Sequence, residues 1–330
     1  MKIGIYSNQF DSRGTGKVPL EYAQALQKTF NHEIVMITSK DGDNSGLANV
    51  QKHFKVVQHD GSTIIIDQRS IVKKSLRDIV DKERLSFLYM VKAGANDNIT
   101  PDNCKTGIHC VFHMDQPHGS VYAGVSDYLA KKYNQTSHVP HIIKKYNATK
   151  DIRLMLGIDS ATTVVGRIGG SSTFNIPFVQ KAVKDVLDYR PDIVFLFLST
   201  DKFIEHERVI FVPFIDGEQE KYNHIHACDA MIHARADGET FGLSVGEFSA
   251  CSKPVITWSG EYQGQRNPNY DTCHIELLGK RAIIYKDYKE ALEILYSIKR
   301  AEIPPIQWDV YTDRFSEKNV MDQFNKVFLL

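Results

Sequence analysis

Short apolar runs alternate with stretches of helical spacing along the first half of the chain. Ile3 to Tyr6 reads as a buried strand, and a polar loop with Gly14 and Gly16 follows from Asn8 to Lys17. Leu20, Ala23, Leu26 and Gln27 then carry helical spacing within Val18 to Thr29. Ile34 to Ile37, Thr63 to Ile66, Phe87 to Met90 and Ile108 to Phe112 predict further strands. Runs this apolar fit a parallel sheet covered on both faces.

The second half restarts the pattern. Thr163 to Gly166, Ile193 to Leu198, Val209 to Val212, Ala230 to Ile232, Pro254 to Thr257 and Ala282 to Tyr285 read as strands. Helices are predicted over Ile176 to Leu187, up to Ala227, over Gly242 to Cys251 and over Tyr288 to Lys299. Pro304-Pro305 punctuates the chain before a final helical stretch. Two βα series of similar size predict an α/β protein of two Rossmann-like domains. The break is expected between Tyr133 and Ala161, where His, Pro, Lys and Asn replace apolar runs.

Length and composition agree with that division. The 330 residues suit two domains of roughly 150 residues each. Lys plus Arg and Asp plus Glu both number 40, so no bulk field recruits nucleic acid or an anionic membrane. A local basic pocket and a peripheral membrane patch stay open. The five cysteines lack CxxC spacing and are odd in number, which fits reduced thiols and a cytoplasmic setting. Lys2 to Tyr6 is too short a run for a signal peptide, and no apolar run reaches membrane-spanning length. Sequons at Asn98, Asn134 and Asn147 are then chance occurrences.

The most informative string is Gly238-Glu239-Thr240-Phe241-Gly242-Leu243-Ser244-Val245-Gly246-Glu247, with Lys253-Pro254-Val255-Ile256 following. Two glutamates eight positions apart flank a Phe-Gly-Leu turn that opens a helix. Acids at this spacing alone usually solvate a helix face. The glycines, the helix start and the trailing strand make the whole string rarer. A helix start presents unpaired N–H groups and the positive end of the dipole, which suits a diphosphate. Upstream, Arg153-Leu154-Met155-Leu156-Gly157-Ile158 precedes the strand Thr163 to Gly166, and Arg167 follows. A lone Gly-Arg is weak evidence, because a surface arginine in a turn gives the same pair.

Together these strings resemble the Glu-x7-Glu signature of the retaining glycosyltransferases that include glycogen synthases and bacterial mannosyltransferases. The resemblance implies a GT-B fold, two Rossmann-like domains with a cleft between them. It places an acceptor domain at 1–145, a nucleotide-sugar donor domain at 146–309, and a last helix, about 310–330, packing back on the first. Trp308, Phe315, Val320, Phe324 and Val327 are the expected anchors of that helix.

The implied activity is transfer of a sugar from a nucleoside-diphosphate sugar to a hydroxyl of a sugar, glycan or glycolipid, with retention. In that reading Glu239 and His113 serve the donor sugar and Glu247 the ribose. Arg167, Phe241, Gly242, Leu243, Gly14 and Gly16 face the diphosphate. No metal or other cofactor is expected. The sequence departs from the family where a lysine usually stands about six residues beyond the arginine. Ser171-Ser172-Thr173-Phe174 occupies that stretch here, leaving Arg235 or Lys17 as the substitute cation.

Other constellations weigh less. Asp11 to Lys17 lacks the GxxxxGK[ST] of a phosphate-binding loop for nucleotide hydrolysis. His118 is the reserve for His113, and His109 is expected to pack within its strand. A zinc site from His109, Cys110, His113 and His118 lacks recognisable ligand spacing. Asp41-Gly42-Asp43 is better explained as turn residues than as a metal motif. Ser126 is expected to cap a helix. The rival readings are a catalytically weak nucleotide-sugar or glycan-binding protein of the same fold, and a Rossmann oxidoreductase, for which a GxGxxG after the first strand is missing.

Overall fold

The computed structural model describes every residue except Ser12, Arg13, Ile64, Phe214, Asp216 and Gln263. The chain divides into two compact units, Met1–Ile142 with Glu317–Leu330, and Ile143–Ser316.

The first unit carries strands β1 (Lys2–Tyr6), β2 (Glu33–Ser39), β3 (Lys55–His59), β4 (Phe87–Lys92), β5 (Lys105–Cys110) and β6 (Val121–Gly124). Its helices are α1 (Gly14–Phe30), α2 (Leu47–Gln51), α3 (Arg69–Glu83) and α4 (Asp127–Lys132). The strands form one sheet in the order β3-β2-β1-β4-β5-β6. Each pairing is parallel. The centre is largely apolar, with Ile3, Ile5, Met36, Ile37, Leu88 and Met90 all at 0% exposure, as a sheet covered on both faces requires.

Two sequence expectations change in this unit. The third strand is Lys55–His59, not Thr63 to Ile66. Ile65 and Ile66 are exposed, Ile66–Gln68 is a 3-10 turn, and Ile64 lies outside the described residues. An apolar run left on the surface imitates a buried strand, while the edge strand β3 tolerates polar positions on its open side. The polar loop also ends earlier than Lys17. Helix α1 starts at Gly14 and accommodates Pro19 within its first two turns.

The second unit continues with α5 (Ile152–Met155), β7 (Thr163–Ile168), α6 (Pro177–Tyr189), β8 (Ile193–Leu198), β9 (Val209–Val212), α7 (Glu218–Ala227) and β10 (Ala230–His233). Then come β11 (Gly238–Glu239), α8 (Leu243–Ala250), β12 (Val255–Trp258), and the hairpin β13 (Glu261–Tyr262) and β14 (Gln265–Arg266). The series closes with β15 (Asp271–Thr272), α9 (Cys273–Leu278), β16 (Ala282–Tyr285) and α10 (Tyr288–Ser297). The main sheet runs β16-β12-β10-β7-β8-β9, again all parallel. Taking each unit's strands in their own order, both sheets read 3-2-1-4-5-6. That is the doubly wound order, with a switch point beside the first strand. In the second unit the switch lies between β7 and β10.

Helix α11 (Glu317–Phe324) and the wide π-turn Asn325–Leu329 belong to the first unit. Val320, Phe324 and Phe328 are fully buried there. Phe324 lies 5.1 Å from the Tyr89 ring and 5.6 Å from Tyr22. Phe328, rather than Val327, is the last anchor, because the wider final turn carries the buried face one residue further. Trp308 and Phe315 do not join this face. They lie in the second unit, where Phe315 packs 5.0 Å from Phe241. Among the described residues, no helix is long and apolar enough to cross a membrane.

Candidate functional site

Ligands of doubly wound sheets bind beyond the carboxyl ends of the strands, at the switch point. In the second unit β7 delivers Arg167 to that place, and β10 delivers His233 beside it. Arg167 is only 3% exposed. Its Nη1 donates to Thr200 Oγ1, and its Nη2 donates to the Gly170 carbonyl at 2.9 Å and to Thr173 Oγ1 at 2.5 Å. Burial pulls the Arg167 pKa down to about 10, Glu239 and Asp201 oppose the fall, and Arg235 adds to it. The side chain therefore remains a cation at neutral pH. Thr173 stands where the resemblance puts a lysine. Its hydroxyl instead accepts from Arg167 and donates to the Gly170 carbonyl at 2.8 Å, so the position orients one cation and supplies no second.

After β10 the chain makes the short strand β11, paired in parallel with β15. Glu239 lies on it, and both of its carboxylate oxygens are engaged. Oε1 is 3.2 Å from His233 Nε2, and Oε2 accepts from Arg235 Nη1 at 3.1 Å. Burial pushes the Glu239 carboxyl up, but His233 and Arg235 outweigh it and the net direction is down. Arg235, named as a substitute cation, is thus already paired, with Asp237 a further 3.9 Å contact.

Gly242 holds the turn into α8 with φ of +86°, a left-handed conformation that glycine adopts without strain. A Cβ there would come within 3.1 Å of His274 Cβ and 3.5 Å of Glu239 Cβ, so the helix start and the first glutamate share one corner. The Phe241 side chain is core, 2% exposed and edge-on to Tyr311 and Phe315. Only its backbone remains for a ligand. Leu243 is the first residue of α8 and half-buried. Glu247, a turn further along, is buried and takes the Lys221 ammonium of α7 on Oε1. Lys221 also lies 3.0 Å from Glu218.

The remaining sequence candidates fall in the first unit. His113 follows β5 in a loop, where its Nδ1 meets Asp115 at 3.0 Å. His118 pairs through Nε2 with Lys92 Nζ at 3.0 Å. His109 packs within its strand as expected, fully buried between the Tyr89 hydroxyl at 2.5 Å and the Val139 carbonyl at 2.7 Å. Burial lowers its pKa to about 4. Gly14 heads α1. The Gly16 N–H is already given to Asp11 Oδ1 at 3.1 Å, and a Cβ on Gly16 would strike the Asp11 backbone at 2.1 Å. That helix start carries its own carboxylate. Lys17 lies 3.9 Å from Glu21. Asp43 accepts from the Ser45 N–H at 3.1 Å in the turn after β2, and Ser126 caps α4 by accepting from the Leu129 N–H. Among the described residues, no group of three or more His, Cys, Asp and Glu is arranged to hold a metal ion.

Neither a protein-family model nor a curated protein sequence matches the chain. Solved structures do. HepE of Anabaena, in complex with UDP-glucose, superposes with a TM-score of 0.72 at 13% identity, covering 99% of this chain and 98% of that one. WaaG, a glycosyltransferase involved in lipopolysaccharide biosynthesis, gives 0.70 at 11% identity over 100% of both chains. The fold is GT-B. Sucrose-phosphate synthase of Thermosynechococcus elongatus gives 0.63 at 11% identity, over 99% of this chain and 94% of that one. At these identities the likeness speaks for the GT-B fold, and the chemistry rests on the side chains of this chain.

Several of those side chains escape sequence reasoning. Thr200, Lys221, His233, Thr257 and His274 contact the site from elements far apart in the chain. A signal existed for two of them. His233 and Thr257 each stand at the carboxyl end of a predicted strand, and adjacent parallel strands carry such residues to one edge.

Proposed function

We propose that the chain transfers a sugar from a nucleoside-diphosphate sugar to a hydroxyl acceptor, with retention of anomeric configuration. The observation that carries this reading is the gathering of Arg167, Arg235, Glu239 and the glycine-led start of α8 at the switch point of one GT-B unit. The N–H groups of α8 and the Arg167 guanidinium receive the diphosphate and stabilise it as it leaves. Glu239 accepts from hydroxyls of the donor sugar, and Glu247 from the ribose. The second unit holds the donor. The first unit takes the acceptor, a sugar, glycan or glycolipid, the last of which would bring a peripheral membrane contact. An oxocarbenium-like transition state with a departing diphosphate needs positive charge on the phosphates more than a strong base. Arg167 and the helix dipole supply it, so the reading assigns no metal and no other cofactor.

A second reading, a nucleotide-sugar or glycan-binding protein of the same fold, draws on Thr173 in place of a second cation and on the Lys221 tie of Glu247. Thermal shift against UDP, GDP, ADP and their sugars identifies the ligand. HepE, held with UDP-glucose, makes that donor the first to test. Release of nucleoside diphosphate in the presence of a sugar acceptor then separates transfer from binding alone. Arg167→Ala is expected to abolish the nucleotide-induced shift. A protein that binds none of these ligands, or binds them equally after Arg167→Ala, defeats the transfer reading and the nucleotide-sugar-binding one.

A further inference from the structure

We infer that His233 is a positioning residue for Glu239, held in its Nε2–H form by a one-directional hydrogen-bond chain that starts at His274 and passes through Thr257. The inference rests on the reading of Glu239 as the carboxylate that meets the donor sugar.

The geometry begins in the sheet. His233 and Thr257 are register partners on the parallel strands β10 and β12, which puts their side chains on one face. His274, the second residue of α9, lays its ring 4.6 Å from that of His233. The Thr257 hydroxyl joins them, 3.0 Å from His233 Nδ1 and 2.9 Å from His274 Nε2. One hydroxyl has one proton and two lone pairs, so its proton goes to one of the two rings or to the Tyr270 hydroxyl, with which it is also hydrogen-bonded.

Two observations decide the direction. The Tyr270 hydroxyl, 3.4 Å from His274 Nε2, spends its own proton on the Trp258 carbonyl at 2.7 Å. It can offer Nε2 only an acceptor. His274 is fully buried, and its Nδ1 has no partner among the described residues. A proton on that nitrogen would be an orphaned buried N–H, which folded proteins rarely tolerate. His274 therefore carries its proton on Nε2 and donates it to Thr257. Burial, with the Arg235 charge adding, holds the His274 pKa well below the ordinary histidine value, consistent with a neutral ring.

His233 Nε2 faces the Glu239 carboxylate at 3.2 Å and so carries a proton, which in the neutral ring leaves Nδ1 as the acceptor that takes the Thr257 proton. The Tyr285 hydroxyl anchors the same residue through the His233 carbonyl at 2.7 Å. Glu239 thus meets a neutral donor of fixed direction on one oxygen and a cation on the other. Its carboxylate plane is set before any sugar arrives, the kind of support a site needs around its contacting residues.

Long-range proton–nitrogen correlation on imidazole-labelled protein at neutral pH tests the chain directly, with His233→Gln and His274→Gln assigning the two rings. Both rings are expected as neutral Nε2–H forms, and Thr257→Val is expected to shift the His233 Nδ1 signal. His233 found as Nδ1–H or doubly protonated, or unmoved by Thr257→Val, overturns the inference. Release of UDP from UDP-glucose supplies the functional arm. Thr257→Val is expected to lower kcat roughly tenfold, about 1.4 kcal/mol of barrier, with KM held. His233→Gln, which keeps an N–H near the place of Nε2, should recover most of what His233→Ala loses. Equal loss in those two variants also overturns the inference. A wild-type protein that turns over no nucleoside-diphosphate sugar counts against the transfer reading, while the ring signals still decide the hydrogen-bond chain.

Discussion

Glu239 and Glu247 share one motif, yet the protein supports them in opposite ways. Glu239 lies on a short strand at the sheet's carboxyl edge, and its partners arrive from β10, β12 and α9 through a neutral hydrogen-bond chain, with Arg235 added on the second oxygen. Glu247 is locked into a helix, and the Lys221 ammonium from the neighbouring helix α7 pairs with it. The first arrangement fixes a direction. The second mainly cancels a charge that burial would otherwise make costly. Equal spacing in a motif therefore says little about how much freedom each carboxylate retains to meet a ligand.

The sharpest way to break this contrast is to remove the ammonium. Lys221→Met leaves Glu247 buried without the Lys221 ammonium and is expected to cost about 3 kcal/mol of folding stability, read from chemical denaturation. A cost near zero would put Glu247 in the same class as Glu239. Glu239→Gln is expected to lower turnover by roughly 10- to 100-fold, the value of a charged hydrogen bond, with nucleoside diphosphate affinity retained. Full turnover at saturating donor removes Glu239 from the reaction. Glu247→Ala should act the other way round and weaken nucleoside diphosphate binding by about 1.5–3 kcal/mol, measured by calorimetry. Unchanged affinity would sink the ribose assignment.

The smallest effect is expected from the second oxygen of Glu239. Arg235→Met removes a pair at 3.1 Å that is about a quarter exposed and should cost about 1 kcal/mol at neutral pH. The pH dependence follows from the direction of the Glu239 shift. Its folded value lies below 4.5, so the stability linked to its ionisation is present above that pH and is lost as pH falls through the folded value. Without Arg235 the folded value moves back toward 4.5. The deficit against wild type should then be full at neutral pH and vanish in acid. A deficit that persists unchanged in acid would mean that Arg235 contributes packing and no charge.

The second unit was the easier half to read. Ile193–Leu198 is buried at every position, so its apolar run carries the strand signal alone, and Val209–Val212 and Ala282–Tyr285 end at the predicted residues. In the first unit the edge strand Lys55–His59 is only partly buried and was hidden, while the exposed Ile65 and Ile66 imitated it. The site divides in the same manner. Arg167, Gly242 and the two glutamates lie in a local string that a reader can recognise. His274 and Lys221 acquire meaning only through partners tens of residues away, a pairing that no local pattern encodes. Thr173 was legible as a missing lysine, but its hydrogen bond to Arg167 was not.

The closing segment of the chain sets an order of events during synthesis. Phe324 and Phe328 fill the first unit from a segment made after the whole of the second, whereas the second unit is one uninterrupted stretch, Ile143–Ser316. The half that leaves the ribosome first therefore waits with an open apolar seam around Tyr22 and Tyr89, while the half made later completes its own core before it. A chain released at residue 316 would carry a second unit complete in itself and a first unit still lacking its closing helix, and chaperones would find their target in the first unit.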